Sequence, residues 1–73
     1  MEKQTFINQM TARGYELETV GNGNITATKG ENTVRLVPLA DYIVYIDAPT
    51  VTAIVRKGAT DAETLRMVDG LTA

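Results

Sequence analysis

Hydrophobic and polar positions change period along the chain, and each change marks an element. Residues 3–13 place Phe6, Ile7 and Met10 at helical spacing, with Gln4, Asn8, Gln9 and Arg13 elsewhere around the turn. Gly14 follows where a left-handed residue would end this helix, and Tyr15 can then fold back on Met10 as in a Schellman cap. Arg13 brings a cation to the last turn, where it suits the helix dipole.

From Tyr15 to Val20 the pattern alternates with period two, which predicts a strand. Gly21-Asn22-Gly23 is the strongest turn signal in the chain. A two-residue Asn22-Gly23 loop would set Val20 opposite Ile25 and mix Glu16, Glu18 and Lys29 onto their face. A three-residue loop with Gly23 left-handed sets Thr19 opposite Ile25 and Leu17 opposite Ala27. It gathers Tyr15, Leu17, Ile25 and Ala27 on one face and Glu16, Glu18, Thr26 and Thr28 on the other. A one-residue slip turns every side chain to the wrong face, so the three-residue loop is expected. Gly30-Glu31 predicts a glycine-first hairpin that pairs Ala27 with Val34 and Ile25 with Leu36. The third strand, 33–37, stops at Pro38.

Residues 42–46, Tyr-Ile-Val-Tyr-Ile, are apolar on both faces and have strong strand propensity. Asp47-Ala48-Pro49-Thr50 predicts a four-residue turn, and 51–56 a fifth strand. Thr60-Asp61-Ala62-Glu63 matches a capping box, Leu65 and Val68 give a short apolar stripe, and Gly70 predicts the end of that helix. The order α-β-β-β-β-β-α implies an α+β fold in two layers. An N-terminal helix and a short C-terminal helix pack on one face of a five-stranded antiparallel meander sheet.

With 73 residues, the chain is expected to form a single domain, 1–73. A domain of this size buries only about 60% of the surface its unfolded chain exposes. Disulfides, a metal or a partner chain commonly support such small cores. Cysteine and histidine are both absent, which removes disulfides and the commonest zinc ligands and leaves association as the remaining support. The 44% hydrophobic and 22% charged content is that of a globular domain. No apolar run approaches a membrane span, and Met1-Glu2-Lys3-Gln4 leads into an amphipathic stretch rather than a signal peptide, so a cytoplasmic location is expected.

The residue inventory argues against an enzyme. Without histidine, cysteine or serine, nucleophile-plus-imidazole catalysis cannot come from this chain. Glu16 and Glu18 share a strand face about 7 Å apart, close enough to share a proton or an ion. Two solvated charges guarding an edge strand are the expected explanation. Gly21-Asn22-Gly23-Asn24 lacks the helix N-terminus and Lys-Ser/Thr of a phosphate cradle and reads as a hairpin tip. No cofactor or metal is expected, and no segment carries a family-specific motif.

Two binding classes remain. Arg35 and Arg56 share the outer face with Tyr45, an arrangement that can stack and clamp a single-stranded nucleic acid or a nucleotide. The net charge of −2 and Glu16 and Glu18 on the same face oppose that reading, and Asp61 and Glu63 at the start of the last helix would repel the phosphates of a double-stranded RNA. The other class rests on the two strands after Pro38. Tyr42, Val44, Ile46, Val51, Ala53 and Val55 fall on one face. Ile43, Tyr45, Thr52 and Ile54 fall on the other, with Val37 able to join them. Two short helices on one side leave the second set uncovered unless the closing helix crosses to it. An apolar face of this kind marks a contact surface. The leading expectation is a non-enzymatic protein-interaction module. It would be a self-associating accessory, regulatory or inhibitor protein that binds through Val37, Ile43, Tyr45 and Ile54, flanked by Arg35 and Arg56.

Overall fold

The computed structural model describes all residues, 1–73. Helix α1 (Lys3–Ala12) is followed by strands β1 (Glu16–Thr19), β2 (Ile25–Lys29), β3 (Asn32–Val37), β4 (Ile43–Ala48) and β5 (Val51–Ile54), then helix α2 (Asp61–Leu71). The strands form one antiparallel sheet in chain order, so β1 and β5 are its edges.

Local chemistry fixes the connections. Gly14 takes a φ of 86°, the Tyr15 amide donates to the Met10 carbonyl at 3.0 Å and the Gly14 amide to that of Thr11, which completes the Schellman cap. The Gly21–Gly23 turn is the three-residue loop, with Asn22 and Gly23 both left-handed, and it pairs Thr19 with Ile25 and Leu17 with Ala27. Gly30 opens the next hairpin at a φ of 60°, and Ala27 meets Val34 while Ile25 meets Leu36.

Because these registers hold, one parity of the sheet is apolar and faces both helices. Phe6, Met10 and Val68 meet Ile25, Ala27, Val34, Leu36, Val44 and Ile46 in a single buried cluster. Leu17 and Ile7, both expected in this core, lie half-buried at its margin. Helix α2 starts as predicted. The Thr60 side chain accepts from the Glu63 amide at 3.1 Å, and the Glu63 carboxylate accepts from the Thr60 amide at 3.0 Å.

Four details differ from the sequence expectation, the first being that β5 ends at Ile54 rather than at Arg56. The turn between β4 and β5 is only Pro49-Thr50, because Asp47 and Ala48 continue the strand opposite Thr52 and Val51. The register moves by two residues, so both faces keep their members. Tyr42 is not on the inner face. It follows Asp41 in a left-handed turn, with φ of 57° and 63°, and its side chain is exposed. Gly70 does not stop α2, which continues to Leu71. The Thr72 amide then donates to the Val68 carbonyl at 3.0 Å.

Candidate functional surface

The other parity of the sheet is uncovered by either helix. Cross-strand pairing sets its residues in rows that run from edge to edge. The central row is Glu18, Thr26, Arg35, Tyr45 and Ile54, one residue from each strand. On one side of it lie Glu16, Thr28, Thr33, Asp47 and Thr52. On the other side Val37 pairs with Ile43. The row from Glu16 to Thr52 is therefore polar from edge to edge, and the apolar groups collect at the corner formed by Val37, Ile43, Tyr45 and Ile54.

Of the residues that sequence reasoning singled out, Val37, Ile43, Tyr45 and Ile54 come together at this corner. Ile54 keeps 59% of its surface in solvent, an unusual exposure for an isoleucine in a strand. Ile43, Tyr45 and Val37 are half-buried. The Arg35 guanidinium lies over the Tyr45 ring, 5.2 Å from its centre, and so covers part of the tyrosine while keeping its own charge in water.

The basic residues do not converge. Arg56 turns round the β5 edge to Glu63 at 2.9 Å. Lys57 pairs with Asp41 at 2.6 Å, which holds the Asp41 carboxyl below the usual range and raises the Lys57 ammonium. The Glu63 carboxyl is also lowered, first by the Thr60 amide that it accepts and then by Arg56. Arg35 is left as the basic side chain set within the face itself. Glu16 and Glu18 lie exposed along the β1 edge.

Besides Tyr42, sequence reasoning missed two exposed apolar side chains. Leu39, 79% exposed, lies on the short helical turn Pro38–Ala40 between β3 and β4. Val20 precedes the Gly21–Gly23 turn and shares the outward parity of Glu16 and Glu18. A leucine directly after a proline that ends a strand was the available signal for the first. No helix is long and apolar enough to cross a membrane, and no three acidic side chains gather as a metal site would require. No family model, no curated protein and no solved structure matches this chain.

Proposed function

We propose that the chain is a non-enzymatic protein-interaction module that self-associates through its outer sheet face, in an accessory, regulatory or inhibitory role. The observation that supports this reading most is Ile54. It stands exposed beside Tyr45 in the central row of the outer face. Val37 and Ile43 extend the same corner without a charge among them. The ring of Tyr45 supplies contact area, and its hydroxyl can stay at a wet rim. A second copy offers the same apolar corner in return, as a two-fold interface requires.

The test is solution mass against concentration by sedimentation. Wild type should move from monomer toward dimer as concentration rises. Ile54→Glu should remain monomeric with an unchanged circular dichroism spectrum. A wild-type chain that stays monomeric throughout refutes self-association.

A second reading, a sheet-face nucleic-acid or nucleotide binder, draws on the Arg35 and Tyr45 stack. It predicts a salt-dependent shift of a single-stranded oligonucleotide, abolished by Arg35→Glu. Glu16 and Glu18 on the same face, together with the pairing of Arg56 and Lys57 to carboxylates, weigh against it.

A further inference from the structure

The two edges of the sheet are not alike. β1 carries Glu16 and Glu18, charges that discourage another strand from adding there. β5, Val51–Ile54, carries no charge at all. The Val55 amide donates to the Val44 carbonyl at 2.9 Å, and Ala53 stands opposite Ile46. Antiparallel alternation then turns the backbone groups of Val51, Ala53 and Val55 toward β4, and those of Thr52 and Ile54 away from it. No strand lies beyond β5, so two N–H and two C=O groups face outward.

A groove of about 540 Å³ runs beside this edge, lined by Ile54, Arg56, Ala59, Glu63, Arg66 and Met67. Its apolar wall is Ile54, Ala59 and Met67. Glu63 holds Arg56, whereas Arg66 makes no salt bridge. Two arginines against one glutamate leave the groove at +1, in a chain whose net charge is −2.

We infer that the β5 edge and this groove together bind an extended peptide segment of another protein, one that carries an apolar side chain and a carboxylate two residues apart. The segment adds as a sixth strand by hydrogen bonds to Thr52 and Ile54. Alternate side chains of a strand point the same way about 7 Å apart. The apolar one fills the space between Ile54 and Met67, and the carboxylate meets Arg66, whose planar fork fits it. A second copy of the chain does not fit here, because edge-to-edge pairing would bring two positive grooves together. This inference rests on the outward backbone of β5 and on the groove, shares only Ile54 with the open face, and does not depend on self-association.

The probe is a short synthetic peptide of alternating valine and threonine, with one glutamate two positions from a valine. It is titrated into isotope-labelled protein and read by amide chemical shifts. The Thr52 and Ile54 amides and the Met67 region should move, while Val37 and Ile43 stay. The glutamine version of the peptide, or the variant Arg66→Gln, should weaken binding roughly tenfold. Thr52→Pro should block binding without removing a ladder bond, since that amide points outward. Arg66→Gln alters only an exposed helix position and keeps the test valid if Thr52→Pro perturbs the hairpin. Unmoved Thr52 and Ile54 amides at millimolar peptide overturn the inference, as does equal binding of the glutamate and glutamine peptides. On concentrating the protein alone, movement of the Thr52 and Ile54 amides without movement at Ile43 would also overturn it, by making a second copy the occupant of the edge rather than of the open face.

Discussion

Arg13 and Asp69 join the two helices by a bidentate ion pair: Arg13 Nε donates to Asp69 Oδ1 at 2.7 Å and Nη2 to Oδ2 at 3.0 Å. Arg13 caps the end of α1, and Asp69 lies in the last turn of α2, where its charge alone would oppose the helix dipole. The pair thus holds the two helix ends together on one face of the sheet. With both helices committed there, the opposite face is left open.

The Arg13 and Asp69 pair should contribute modestly. Both side chains are partly exposed, so water and salt screen them, and an exposed pair contributes about 0.2–1 kcal/mol. A double-mutant cycle with Arg13→Ala and Asp69→Ala, read by urea unfolding, should give a coupling in that range that shrinks with added salt. A coupling of zero at low salt would show that the pair does not tie the helices.

Leu36 is fully buried at the centre of the inner face, opposite Val44 and Ile25. Leu36→Ala should lower unfolding free energy by about 2–5 kcal/mol. A domain this small has roughly 3–5 kcal/mol from its core, so the variant should be close to unfolded at room temperature. A near-neutral effect would contradict the register of the sheet.

Thr60→Ala removes the acceptor for the Glu63 amide and should lower stability by about 1 kcal/mol. Thr60→Asp should be tolerated, since aspartate also caps and its charge suits the helix N-terminus. Thermal unfolding of the three proteins checks the order.

Folding should weaken in acid. The Glu63 carboxyl is lowered by the Thr60 amide and Arg56, and that of Asp69 by hydrogen bonding from Arg13. A carboxyl whose folded pKa lies below its unfolded value stabilises the fold above the unfolded pKa. That contribution is lost as pH falls through the folded pKa. The midpoint of urea unfolding should therefore decline as pH drops below about 4. The decline should be shallower in Glu63→Ala and Asp69→Asn. An identical slope in both variants and wild type would contradict these assignments.

What could be read from the chain follows from how local each determinant is. The Gly14 cap, the three-residue loop at Gly21–Gly23 and the Thr60 and Glu63 capping box are each decided by a few adjacent residues, and each occurs as expected. Parity carried the outer face as well. The turn at Pro49-Thr50 is shorter than Asp47-Ala48-Pro49-Thr50 suggested, but a slip of two residues returns every side chain to the same face. The left-handed Tyr42 had no cue, since an aromatic residue there is held by its surroundings rather than by its own preference. Gly70 misled because a glycine ends a helix only when the chain turns there, and Leu71 and Thr72 carry α2 onward. The β5 edge and its groove were not legible, because they depend on how α2 lies beside the last strand.

The most direct test of the open apolar face is a dilution series of methyl-labelled protein observed by NMR. Isoleucine serves as an internal comparison, with Ile43 and Ile54 on the outer face and Ile25 and Ile46 in the core. Self-association through this face predicts that the Ile43 and Ile54 methyl signals shift with concentration, while those of Ile25 and Ile46 do not. Ile43 and Ile54 signals that stay fixed from micromolar to millimolar protein would contradict it.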